Sequence, residues 1–572
     1  MKKSIILFLV IGQLSFQSLM AQSDTTISRV VTVERDFQPV IQNAGKINQR
    51  PAIISHEIPL NPVVYSTYSD TLSIGNNLNP MRAAEVRFVS QTPLQGVLEA
   101  AGGYRNTHLR LGYQVHKKDY QLRLNANHDG YWGADRSANA NAGINYTQHF
   151  SEVDLYVNTK GDIDYWNYYV KMPYDTFGII TWDAGNRIVW DANANIGIVS
   201  TNKKNFQYRI QTGYSAIGQM YDVEHIINSH LDLGWSDGHH SAGIKAQVKN
   251  NLYKETVYAE GEYDSDFPDY TYIQHSRHAL RMNPFYEYRN KSIHVRAGVH
   301  IDINIDPFIG DNKWLSNMDK LGFAPSPDIQ INWHTKDNIF HAYAHATGSY
   351  GTAMIDEKLE YNRFGWYAGE TNYIAHYTPV DATIGIKLRP INTFLLDIHG
   401  GYALQLGQYN TYTNVFEEHK YLNAISTDYY LNLNSYQEWK IGASVHYHYR
   451  DIIELNAAGN YYFFRPIEPN NPQPVAYDRP NWDAQLRLDV HINSKWSLYS
   501  ENQFAGSRLA LTNQGDKTLA PIILLNVGGQ YAINRWLFVY AQLNDYLNRK
   551  HDIFYGYKSQ GIHFLLGVKW QF

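Results

Sequence analysis

Phe564-Leu565-Leu566-Gly567-Val568-Lys569-Trp570-Gln571-Phe572 closes the chain. Phe564, Leu566, Val568, Trp570 and Phe572 fall on one parity, while His563, Lys569 and Gln571 fall on the other. A period of two places the first set on one face of an extended strand and the second on its reverse. In a bilayer such a strand presents one face to lipid and the other to a wet lumen. A half-buried strand of a soluble sandwich carries the same alternation.

The pattern recurs upstream. Leu122-Arg123-Leu124-Asn125-Ala126-Asn127 has apolar even positions, and so does Ala484-Gln485-Leu486-Arg487-Leu488-Asp489-Val490-His491-Ile492. Ile293-His294-Val295-Arg296-Ala297-Gly298-Val299 puts the apolar residues on odd positions. A charged side chain facing lipid at the midplane costs roughly 2–4 kcal/mol. Arg123, Asn125, His294, Arg296, Gln485, Arg487, Asp489 and His491 are therefore expected to face a lumen.

The amino terminus reads as an export signal: Lys2 and Lys3, an apolar run from Ser4 to Leu14, and a small residue at Ala21. Cleavage is expected before Gln22. No later stretch holds 18 consecutive apolar residues, so no helical span is expected. An exported membrane protein without a spanning helix must be a closed barrel, because every backbone amide in hydrocarbon needs a partner. The chain has no Cys, which removes disulfides, thiolate metal sites and a lipidated amino-terminal Cys. Its net charge of -5 over 572 residues gives nucleic acid no electrostatic footprint. Tyr at 46 and Trp at 13 suit aromatic girdles at two membrane interfaces, and also suit a carbohydrate-binding β protein.

Three regions follow: residues 1–21 as signal peptide, 22–95 as a periplasmic arm or reduced plug, and 96–572 as a transmembrane barrel. The arm is polar and Pro-punctuated, with no long alternation. Within the barrel, short polar turns are expected near residues 116–119, 151–152, 202–205, 237–240, 290–291, 336–338, 390–393, 450–451, 493–495 and 534–535. Longer connections alternate with them, about 166–181, 253–275, 307–322, 350–378, 407–427, 466–480, 506–520 and 549–561. Ten short turns imply about 22 antiparallel strands (20–24), with both barrel ends on the short-turn side. At ~4.8 Å spacing and ~40° tilt, 22 strands enclose a diameter of roughly 44 Å. Side chains do not fill that width. The arm, infolded loops or a partner must occupy it.

The alternation, the terminal Phe572 and the Tyr-rich barrel resemble the outer-membrane β-barrels of Gram-negative bacteria. A closing aromatic is similar to the carboxy-terminal signal read there by the barrel-assembly machinery. Strand number and export signal narrow the resemblance to TonB-dependent receptors, which import chelates, oligosaccharides or peptides. Val30-Val31-Thr32-Val33 is similar to their short apolar box, which binds the inner-membrane energiser by adding a strand to its sheet. A linker strand reads the same way. Residues 22–95 are about half the length of the family's plug and lack its apolar and Gly-rich motifs. The resemblance thus implies an outer-membrane receptor or transport barrel, TonB-linked, with an incomplete plug. The missing plug keeps a second reading open: an assembly barrel whose arm docks a periplasmic or surface lipoprotein. An outer-membrane enzyme is a minor third.

No catalytic residue, cofactor or metal ligand is assigned. G-x-S-x-G, H-E-x-x-H and phosphate-binding glycine loops are absent from the sequence. His341 with His345, and His446 with His448, share strand faces at spacings a transition metal accepts, or simply line a wet wall. Glu260, Glu262, Asp264, Asp266 and Asp269 crowd one connection, a hard-oxygen set for calcium or a solvated acidic loop.

Overall fold

The structure, a computed structural model, describes residues 95–132, 136–167, 186–201, 205–219, 222–258, 270–305, 322–352, 375–419, 424–467 and 476–572. Its strands in chain order are β1 (Gly96–Gly103), β2 (Asn106–His116), β3 (Tyr120–Tyr131), β4 (Ser137–His149), β5 (Val153–Asn167), β6 (Asn186–Ser200), β7 (Phe206–Gln219), β8 (Asp222–Ser236) and β9 (His240–Tyr258). Then come β10 (Tyr270–Arg289), β11 (Ile293–Ile305), β12 (Phe323–His334), β13 (Phe340–Thr352), β14 (Ala375–Ile391), β15 (Phe394–His419), β16 (Ala424–Tyr449), β17 (Ile453–Pro466), β18 (Trp482–His491) and β19 (Trp496–Ala505). The last are β20 (Arg508–Thr512), β21 (Lys517–Leu519), β22 (Ile522–Ala532), β23 (Leu537–Asn544), β24 (Asp552–Phe554), β25 (Tyr557–Lys558) and β26 (His563–Gln571).

Each strand through β19 pairs antiparallel with its sequence neighbour; β19 then pairs with β22, β22 with β23 and β23 with β26. β26 pairs with β1 through Val97↔Gln571 to Gly102↔Leu566, which closes the ring. Setting aside β20, β21, β24 and β25, this is a closed antiparallel barrel of 22 strands, as the turns imply. Phe572 completes the seam: its carbonyl accepts from the amides of Gln95 and Gly96, both at 2.7 Å.

Two aromatic belts frame the apolar face. Phe150, Phe206, Trp235, Trp333, Trp496 and Trp570 are exposed at the short-turn end. Tyr104, Trp132, Phe323, Trp439, Phe463 and Trp482 are exposed toward the other. Along β16 the belts are ten residues apart, from Trp439 to Tyr449. Ten residues at ~3.3 Å and ~40° tilt span about 25 Å, the height of an outer-membrane apolar band.

Four of the short turns share one device. Asn290, Asn493 and Asn534 each accept, at Oδ1, the amides two and three residues on, and Asp237 does the same for His239 and His240. This Asx geometry satisfies turn amides that no ladder reaches.

On the reverse face, tyrosine lies across glycine of the next strand. Tyr156 stands opposite Gly197, Tyr343 opposite Gly385, Tyr499 opposite Gly528 and Tyr540 opposite Gly567. In each case a Cβ on the glycine would run into the tyrosine ring. The ring covers backbone that glycine leaves bare, a cross-strand rescue.

Several connections are shorter than the sequence implies. The expected loop 407–427 is mostly hairpin, since β15 and β16 continue to His419 and from Ala424. Likewise β9 and β10 take most of 253–275 apart from 259–269. Outside the bilayer a strand needs no apolar alternation, so Tyr- and Thr-rich extensions give no periodic signal. A bulge between Gln405 and Gln408, with Gly407 at φ +68°, marks where the β15–β16 hairpin leaves the regular ladder.

Beyond the barrel's loop end, segments knit together. β20 pairs in parallel with the β15 extension at Tyr412↔Leu511 and Thr413↔Thr512. The Asp478 carboxylate accepts the Thr411 amide at 2.8 Å, and Arg508 donates to the carbonyls of Ile553, at 2.9 Å, and Asp552. Ala510, Leu511, Leu519, Ile553 and Phe554 form the buried apolar fill of this layer.

Candidate functional site

The strongest candidate is a hollow of about 540 Å³ on the polar face of β8 to β12. Its lining includes Asp232, Lys245, Arg281, Glu287, Arg296 and Asp328. Pro284 organises it. The β10–β11 ladder skips Asn283 and Pro284 between Met282↔Ile301 and Phe285↔Gly298, and proline offers no amide to it. The neighbouring Asn283 compensates: its Nδ2 donates to the Val299 carbonyl at 3.2 Å and to Asp328 Oδ2 at 2.9 Å.

Arg296 sits at the centre. It donates to Glu287 Oε1 at 2.5 Å, Asp328 Oδ2 at 2.7 Å and Asn283 Oδ1 at 2.8 Å. The Phe285 ring lies 3.8 Å from the guanidinium carbon, a cation–π contact. Arg281 grips Asp302 with two bonds, at 2.6 and 3.1 Å. Charge-assisted, forked pairs of this kind fix side-chain positions. The hollow is a preorganised polar wall with both signs of charge displayed, suited to a solute with several hydrogen-bonding groups.

The residues expected to face a lumen fall into separate places. His294 and Arg296 line the hollow. On β18, Arg487 donates to Asp489 at 2.8 and 3.0 Å and to Glu501 at 3.3 Å. His491 Nδ1 lies 3.0 Å from Ser497 Oγ, and Gln485 stands opposite Ala458 and Gln503. Arg123 and Asn125 lie on β3, opposite Asn145 and Gly143. Phe564, Leu566, Val568, Trp570 and Phe572 are all exposed on the apolar face. The box Val30, Val31, Thr32 and Val33, the signal and the acidic stretch 260–269 lie outside the described residues.

The histidine pairs have other partners. His341 and His345 flank the Tyr343 ring, with centroids 5.8 and 6.4 Å away. Tyr343 donates to Asp397 at 2.8 Å. His446 Nδ1 is 2.6 Å from Asn456 Oδ1. Among the described residues no cluster of three or more His, Asp or Glu is disposed to hold a metal.

Sequence reasoning missed Asn283, Glu287 and Asp328. The signal was available: a proline inside an alternating strand, with Glu287 on that strand's polar face and Asp328 on the polar face of β12.

Neither a protein-family model nor a curated protein sequence matches the chain. Solved structures do. The siderophore receptor PirA from Acinetobacter baumannii superposes with TM-score 0.62 at 10% identity, over 85% of this chain and 81% of that one. The pyoverdine outer membrane receptor FpvA from Pseudomonas aeruginosa PAO1 gives 0.62 at 10% identity, over 85% and 80%. The copper transporter OprC gives 0.61 at 10% identity, over 85% and 81%. The fold of this chain is thus that of the large outer-membrane receptor barrels, closed by 22 strands.

Proposed function

We propose that this protein is an outer-membrane receptor barrel for uptake or binding of a polar solute, with its polar face lining the lumen and the β8–β12 hollow as the solute contact. The observation that carries the reading is the closed ring of 22 strands with a charged, preorganised hollow on one wall. A barrel this wide is unnecessary for an anchor and unfillable by its own side chains. The fold shared with siderophore receptors and a copper transporter supports the same class. Coupling to TonB through Val30–Val33, assembly by the barrel machinery and export by a cleaved signal belong to this proposal. No catalytic role is included.

Single-channel recording in planar bilayers tests it, with the mature protein and with a variant lacking residues 22–95. Deletion is expected to raise conductance well above that of the intact protein. Background conductance in both refutes the uptake reading and favours a barrel that only docks a lipoprotein partner.

A further inference from the structure

We infer that the short-turn mouth of the barrel carries a cationic collar that binds anionic phospholipid headgroups. The inference rests on the membrane reading above and adds a ligand class to a different surface. Lys117, Lys291, Lys336, Arg450, Lys495 and Arg535 lie in six different short turns, and all six are exposed. Among the described residues, none of their side chains enters an ion pair. Those six turns hold seven Lys and Arg against three Asp. One of the three, Asp337, is committed to its own turn, accepting the Ile339 amide at 3.1 Å and the Thr335 hydroxyl.

Turn chemistry sets the arrangement. Where Asn290, Asn493 and Asn534 take the turn amides, the basic residue follows one or two positions later, at the tip. The collar adjoins the short-turn aromatic belt. Arg535 lies 4.6 Å from the Trp536 ring centroid and Arg450 5.3 Å from that of Tyr449. Aromatic rings mark headgroup depth, so the cations stand at the level of lipid phosphates. Unpaired lysines and arginines at that depth are attracted to anionic lipid within a Debye length. Charge complementarity and this depth favour lipid over an acidic protein face.

The test is quenching of tryptophan fluorescence by brominated lipids, with the full-length protein reconstituted in phosphatidylcholine vesicles containing phosphatidylglycerol. Brominated phosphatidylglycerol is expected to outcompete brominated phosphatidylcholine around the barrel by about fivefold at low salt. The preference should approach one in 1 M salt, and in the combined variant K117Q, K291Q, K336Q, R450Q, K495Q and R535Q. Heat-modifiable migration on gels checks that the variant is folded; if it is not, the salt series on the unmodified protein decides. A ratio of one in the unmodified protein overturns the collar, and so does a salt-insensitive ratio. A folded variant that keeps its lipid preference overturns it too. Failure of brominated phosphatidylcholine to quench at all strikes the membrane reading instead.

Discussion

Gly567→Ala tests how the closing strand packs on β23. Gly567 is on the closing strand, and Tyr540 on β23 stands directly opposite. A Cβ at Gly567 would lie 2.6 Å from both Cε1 and the hydroxyl oxygen of Tyr540, and closer still to Cζ. Ordinary contact begins near 3.4 Å, so one side must yield by almost an ångström. Tyr540 is only 6% exposed and has little room to retreat. Overpacking of this kind costs about 1–3 kcal/mol. Tyr540→Ala removes the ring instead and leaves a void, at about 3 kcal/mol. The three atoms nearest the new Cβ all belong to Tyr540, so the clash should vanish once the ring is gone. The double variant should therefore be less destabilised than the sum of the single ones, by about 1–3 kcal/mol. Equilibrium urea unfolding in lipid vesicles, followed by tryptophan fluorescence, measures all four corners of the cycle. Additivity within about 0.5 kcal/mol, or a neutral Gly567→Ala, refutes ring-over-glycine packing as a determinant of how β23 holds the closing strand.

Arg296→Met strands Glu287 and Asp328 in a half-buried wall, and a broken pair of that kind costs about 3–5 kcal/mol; urea unfolding of the reconstituted barrel reads it. Deleting Phe572 removes the acceptor for the Gln95 and Gly96 amides and the last aromatic of the belt. The heat-modifiable, folded fraction should fall markedly, whereas Phe572→Tyr should restore it. Asp237 is held below the usual carboxylate range by the amides of His240 and His239. A depressed carboxylate stabilises its turn above the unfolded value and loses that contribution as pH falls through the folded one. Protection of the His239 and His240 amides from hydrogen exchange should thus decline in acid, and Asp237→Asn should flatten that decline.

Much of the architecture was legible in residue order. Alternation in Phe564–Phe572, Leu122–Asn127 and Ala484–Ile492 assigns each side chain to a face, because extended backbone permits only two. Turn tripeptides such as Asn290-Lys291-Ser292 mark reversals because Asx side chains satisfy the stranded amides there. Counting reversals gave the strand number, and its even parity lets the first and last strands pair antiparallel. The loop end escaped such counting. Tyr409–Thr413 continues its strand beyond the apolar band, where nothing demands a greasy face.

Tertiary structure alone decided which charges meet. Arg296 has polar neighbours on both adjoining strands, and register selects Glu287 and Asp328 from among them. Parity records a face but not a height along the wall, and ion pairing is decided by height. The same holds where Tyr131 donates to the Gln560 carbonyl across 429 residues, and where Arg508 reaches Ile553. The first bond depends on ring closure bringing the ends together, and the second on how two connections fold over the same rim, neither of which a local pattern encodes.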